Sequence, residues 1–167
     1  MDTLIIAQIA MHTNVYIESV KSGFINFGEE IEYCIPSGNF GSMFAAYLAR
    51  ELGVPFGKLH LATNENRVLV DVFNSGSYTT KSRQLIKTKS CAMDILTASN
   101  FERIISHLFG AKRTEELYQQ FNTDGCYQLD EVELGMEIDL LRIQIAWEIL
   151  EALLEVNQYK SLQSKNP

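Results

Sequence analysis

Apolar and polar positions alternate along this chain in blocks of distinct period. Leu4, Ile5, Ile9, Val15 and Tyr16 recur at spacings that predict a largely buried helix over residues 4–20, with Ser22-Gly23 as its stop. Residues 31–35 are short, apolar and bounded by turn residues, so they predict a strand. The Ala-, Leu- and Phe-rich stretch 42–52 predicts a helix closed by Gly53 and Pro55, and residues 58–63 predict the next strand. Asn64-Glu65-Asn66 offers caps to a helix through Val68, Leu69, Val72 and Phe73, which Gly76 would end. Strand, helix, strand and helix in succession imply a parallel sheet with helical crossovers, whose ligands gather at the carboxyl ends of the strands.

The second half is less regular. Residues 77–90 hold Lys81, Arg83, Lys87 and Lys89 among serines and threonines with no sustained period, which predicts a mobile loop. Ser99 and Glu102 have capping-box spacing before a helix through Ile104, Ile105 and Leu108 to Gly110, and Thr114 is placed to cap another through Leu117 and Phe121 to the turn at 122–125. From Gly135 onward, Ile138, Leu141, Ile145, Ile149, Ala152 and Val156 form a helical stripe that Leu140, Trp147, Leu150, Leu153 and Leu154 broaden. The chain thus divides into an α/β domain over 1–134 and a helical tail over 135–167.

Composition narrows the class. At 167 residues with 46% hydrophobic and 21% charged residues, the chain can bury a core of its own. A formal charge of −7 removes the attraction to nucleic acid or anionic lipid that a basic surface supplies. No run of about 18 uncharged apolar residues suggests a membrane span, and the opening residues lack the positive n-region of a secretion signal. Cys34, Cys91 and Cys126 are far apart, without C-x-x-C pairs or regular spacing to His12, His60 and His107. They read as reduced thiols of a cytoplasmic protein with no metal site, and the three histidines read as packing or surface residues.

The candidate chemistry lies in Pro36-Ser37-Gly38-Asn39-Phe40-Gly41, between a predicted strand and a predicted helix. Such a turn gathers backbone N–H groups at a helix N-terminus, where the macrodipole favours an anion. Gly38 and Gly41 would let the backbone approach it, and Ser37 or Asn39 could add a side-chain donor. A plain strand-to-helix turn accounts for the same residues.

Four ordered blocks favour the first reading. They are the turn at 36–41, Ala62-Thr63-Asn64-Glu65-Asn66, Ala92-Met93-Asp94-Ile95-Leu96 and Ser99-Asn100-Phe101-Glu102-Arg103. Together with Ala7-Gln8-Ile9, their order and spacing resemble the threonine synthases over about residues 4–134. The resemblance implies a three-layer α/β sandwich with a small parallel sheet, of the tryptophan synthase beta-like fold type II. It further implies a pyridoxal 5'-phosphate (PLP) lyase that turns O-phosphohomoserine and water into threonine and phosphate. By carry-over, Ser37, Gly38, Asn39, Phe40 and Gly41 would bind the cofactor phosphate.

The departures from the family limit this. The family's Schiff-base lysine lies upstream of the opening helix and its pyridine-nitrogen partner near the C-terminus, and neither has a counterpart here. The chain resembles the middle of the enzyme, and no residue is assigned a catalytic role. Lys58, Lys81, Lys87 and Lys89 lie in no segment like the cofactor-lysine motif. Asn64 and Asn66 could face the substrate cleft, Lys81, Arg83 and Lys87 could attract the substrate phosphate, and Asp94 could bond backbone amides or touch substrate, the first being favoured. Expected partners are the phosphorylated amino acid and the missing enzyme lobe or a second copy, because apolar surface normally covered by that lobe would be exposed. The alternative is a non-catalytic module that kept the phosphate or PLP grip and lost the reaction.

Overall fold

The computed structural model describes residues 3–135 and the backbone of residues 143–145. The chain opens with α1 (Thr3–Lys21), which buries Ile5, His12 and Tyr16 on one line of its surface. It ends at Gly23, whose φ of 73° only glycine adopts without cost. Phe24 N–H bonds to Ser19 O at 3.0 Å and Gly23 N–H to Val20 O at 3.0 Å, the paired bonds of a Schellman stop. The same pair closes α2 (Gly41–Glu51) at Gly53, where Val54 N–H reaches Ala49 O and Gly53 N–H reaches Arg50 O. Both stops fall where the sequence predicts them.

β1 (Ile31–Pro36) and β2 (Phe56–Ala62) pair in parallel, with Tyr33 opposite Leu59 and Ile35 opposite Leu61. β5 (Ile143–Ile145) adds to the far side of β2, also in parallel, giving the order β1-β2-β5. α2 crosses from β1 to β2, and buried apolar residues of both it and α3 (Val68–Ser75) join one core cluster against one face of the sheet. That face carries Ile35, Leu59 and Leu61 in the main core. Ala45, Ala46 and Ala49 of α2 are fully buried, and small side chains let α2 lie close to its neighbours. The opposite face carries Cys34 and Ala62, which pack on Met93, and a 2.7 Å pair between His60 and Glu32.

α4 (Phe101–Asp124) is two helices joined at Gly110, whose φ of 80° and ψ of 166° break the ladder. Helix resumes at once rather than at Thr114, and Thr114 Oγ1 bonds back to Gly110 O at 2.9 Å instead of capping. The Ser99–Glu102 capping box does not form. Asn100 holds the N-cap position without a side-chain cap, its N–H donates to Asn39 O, and its Oδ1 accepts from Arg103 Nε.

Two further expectations are corrected. The stretch 77–90 begins as β3 (Ser77–Thr79), antiparallel to β4 (Cys126–Gln128), and Tyr78 stacks on Tyr127 with ring centroids 5.0 Å apart. In the predicted helical tail, Ile143–Ile145 form a strand; the rest beyond Gly135 lies outside the described residues. No helix among the described residues is long and apolar enough to cross a membrane.

Candidate functional site

The turn at 37–41 leaves the carboxyl end of β1 and starts α2. Ser37 is buried and its N–H extends the ladder to Ala62 O at 3.0 Å. The first backbone bond of α2 is Phe44 N–H to Phe40 O, which leaves the N–H groups of Gly41, Ser42 and Met43 without intrahelical acceptors. Among the described residues, the N–H groups of Gly38, Asn39 and Phe40 also have no hydrogen-bond partner. Phe40 is left-handed, with φ 68° and ψ −3°, directly before right-handed helix. Such an alternation turns successive N–H groups inward around an anion.

The glycines serve a purpose the sequence did not suggest. A Cβ on Gly38 would stand 3.0 Å from the Met93 Cα, and one on Gly41 would stand 3.0 Å from Asn100 Nδ2. Both are small because other protein segments press on the turn. Asn39 is exposed, and its carbonyl receives the Asn100 N–H at 3.0 Å.

Asn64 and Asn66 do not cap α3, where Arg67 holds the N-cap position without a side-chain bond. Both are buried and turned toward the segment 86–94. Asn64 Nδ2 donates to Asp94 Oδ1 at 2.8 Å and to Thr88 Oγ1 at 3.0 Å, and Asn66 Nδ2 donates to Ile86 O at 2.9 Å. Asn64 Oδ1 accepts the Asn66 N–H. Asp94 accepts the Thr88 N–H at 3.0 Å and the Thr88 hydroxyl at 2.7 Å. The Thr88 N–H, then its hydroxyl, then Asn64 stabilise the charged form and hold the Asp94 carboxyl below its ordinary value.

Arg83 pairs with Asp71 and donates from Nε to Thr79 O at 2.6 Å. With Asn66, Glu65 and Ile95 it lines a cavity of about 340 Å³. Lys81 lies apart from it, its chain against Gly125. The structure therefore joins Asn66 to Arg83 and Asn64 to Asp94, and brings Lys81 to neither.

His12 approaches the turn from α1. It is 2% exposed, bonds Tyr33 Oη through Nδ1 at 3.0 Å, and bonds both the carbonyl and the hydroxyl of Ser42 through Nε2 at 3.1 Å. Burial lowers its pKa, partly opposed by the Ser42 carbonyl. The signal that could have found it is positional, because residue 12 falls on the buried line of α1 with Ile5 and Tyr16. His60 pairs with Glu32, and His107 meets Phe44 and Tyr47 edge-on. All three cysteines are unpaired thiols, and no cluster among the described residues could hold a metal ion.

No family model matches the chain. Threonine synthase-like 1 of Macaca fascicularis is 38% identical over 131 residues, 77% of this chain and 18% of that protein. Threonine synthase of Methylobacillus glycogenes is 35% identical over 128 residues, 75% of this chain and 27% of that protein. The crystal structure of PLP-bound threonine synthase from Brucella melitensis superposes with a TM-score of 0.72 at 29% identity, covering 83% of this chain and 29% of that one.

The matched segment belongs to the threonine synthase family. The chain spans less than a third of the length of each of these relatives. Its α/β architecture with a small parallel sheet is that of the PLP fold type II threonine synthases. In this threonine-synthase-like segment the four sequence blocks converge at the carboxyl edge of the sheet. Gly38 meets Met93, Asn39 meets Asn100, and Asn64 meets Asp94.

Proposed function

We propose that this chain grips the cofactor phosphate in a PLP-dependent carbon–oxygen lyase of threonine synthase type, which converts O-phosphohomoserine and water to threonine and phosphate. The observation that supports it is the row of unpaired N–H groups around left-handed Phe40, placed where four threonine-synthase-like blocks meet. The residues fit the group: the N–H donors of Gly38 to Gly41 would cradle a phosphate, and the dipole of α2 would favour its charge. When bound, PLP supplies an electron sink for proton removal and loss of the substrate phosphate.

The other residues shape and orient. Asn64 and Asn66 hold the 86–94 segment as one wall of the substrate space, so their effect on substrate runs through that wall. Arg83 is the residue we assign to the substrate phosphate, since its guanidinium retains donor capacity beside the Asn66 cavity. Lys81, set against Gly125, is a weaker choice. No lysine of this sequence matches the cofactor-lysine segment, so that group is assigned to protein outside the matched segment. The reduced thiols and the biosynthetic chemistry suit the cytoplasm.

The test is to titrate the full chain with PLP and with pyridoxal, which lacks the phosphate. Binding of PLP should be at least about tenfold tighter, since hydrogen bonds to a charged group contribute about 1.5–3 kcal/mol. It should be competed by inorganic phosphate and leave no borohydride-trapped lysine adduct. Equal affinity for PLP and pyridoxal would refute the phosphate grip, and a trapped adduct would overturn the assignment of the lysine elsewhere.

A further inference from the structure

His12, Tyr33 and Ser42 form a chain of hydrogen bonds whose direction the chemistry decides. A backbone carbonyl only accepts, so the 3.1 Å contact between His12 Nε2 and Ser42 O requires a proton on Nε2. In a neutral ring that leaves Nδ1 as an acceptor, and Tyr33 Oη, 3.0 Å away, must donate to it. Burial favours the neutral ring and also keeps the Tyr33 phenol protonated. The Nε2 proton is shared with Ser42 Oγ at 3.1 Å, so that oxygen accepts from His12 and its own proton must point elsewhere. Ser42 is the second residue of α2, and its N–H is among those without an intrahelical acceptor. An anion taken by that N–H lies within reach of the same residue's hydroxyl.

We propose that Ser42 is a further phosphate-binding residue, its hydroxyl aimed at the anion by a relay running from Tyr33 through His12. Ser42 donates to the phosphate; His12 and Tyr33 are positioning residues that never touch it. This rests on the phosphate site proposed above. The ring of His12 meets Tyr33 edge-on with centroids 5.5 Å apart, so β1 fixes its plane while the Ser42 carbonyl of α2 fixes its tautomer. α1 thereby reaches the phosphate site without contributing a ligand to it.

The experiment measures the affinity of the full chain for inorganic phosphate and PLP in wild type, Ser42→Ala, Ser42→Thr, His12→Phe and His12→Gln. Nitrogen chemical shifts of the His12 ring are followed through the same phosphate titration. Ser42→Ala and His12→Phe should each weaken phosphate binding about tenfold. Ser42→Thr keeps the hydroxyl and His12→Gln keeps an N–H donor, so both should recover most of the affinity. Free wild type should show the Nε2–H tautomer, and phosphate should shift the Nε2 resonance more than Nδ1. If wild type does not bind phosphate, the proposed function itself fails. If it binds and Ser42→Ala binds equally well, or if His12 carries its proton on Nδ1, the relay is overturned while the phosphate site stands. Should His12→Phe fail to fold, Ser42→Ala with the His12 shifts decides alone.

Discussion

Phe40 shows how one residue can hold a site in an unfavourable shape. Its φ of 68° lies in the region non-glycine residues avoid, at a cost of roughly 1–3 kcal/mol. Glycine would remove that cost, yet the sequence places a large aromatic there. The ring is fully buried, edge-on to Phe101 with centroids 5.2 Å apart and 6.0 Å from Phe73. Its burial offsets the strain and locks the left-handed turn that points the N–H groups inward. Phe40→Ala should lose about 3–5 kcal/mol, since it empties the core and keeps the strained Cβ. Phe40→Gly empties the same space and relieves the backbone, so it should be roughly 1 kcal/mol less damaging than alanine. Urea unfolding of the two variants checks this, and an alanine variant as stable as the glycine one would show that the turn is unstrained.

At the scale of elements, the segment 80–94 owes its order to side chains rather than to ladders. Asp94 is its centre, bonded to Thr88, Asn64 and Asn66. Its folded-state pKa lies below the unfolded value, so its stabilising contribution is present above about pH 4 and is lost as pH falls through the lower folded value. The Thr88 amide should exchange slowly at pH 6 and rapidly once the pH has fallen through the folded value, after allowance for the intrinsic rate. Asp94→Asn should exchange rapidly at both, and equal protection in the variant would remove Asp94 from this role.

The same segment shows which features were legible in the sequence. α1, α2, β1 and β2 follow from contiguous periodic runs and their stops at Gly23 and Gly53, and the glycine turn is legible because its residues are adjacent. β3 and β4 were not, because each is three residues long and Tyr78 meets Tyr127 across 48 intervening positions. The capping roles expected of Asn64 and Asn66 were local, and tertiary bonds to Asp94 and Ile86 displaced them, while Asn100 rather than Ser99 holds the N-cap of α4. His12, Tyr33 and Ser42 carried no common signal, since the relay joins three elements.

At the scale of the whole molecule, α1 is apolar on more sides than its partners cover. Ile5, His12 and Tyr16 face the core, while Leu4, Met11 and Val15 follow the i, i+7, i+11 line of another face. Ile6 and Ile17 lie on the opposite flank of the buried line, and all five are 39–66% exposed. Phe24 and Phe27 stand nearby in sequence at 88% and 90% exposure. One exposed leucine is ordinary, but an apolar line on each flank of the buried face of a 19-residue helix is the kind of surface that proteins normally cover. It fits the expectation that surface exposed here is covered by other protein in threonine synthases, of which this chain matches less than a third. The isolated chain should therefore self-associate as its concentration rises, in sedimentation velocity across the micromolar range. Met11→Glu with Val15→Lys should abolish that association and leave phosphate affinity unchanged, because neither residue touches the His12 side of the helix. A chain that stays monomeric throughout, or associates equally well with both charges in place, would mean that this face is not what the molecule needs covered.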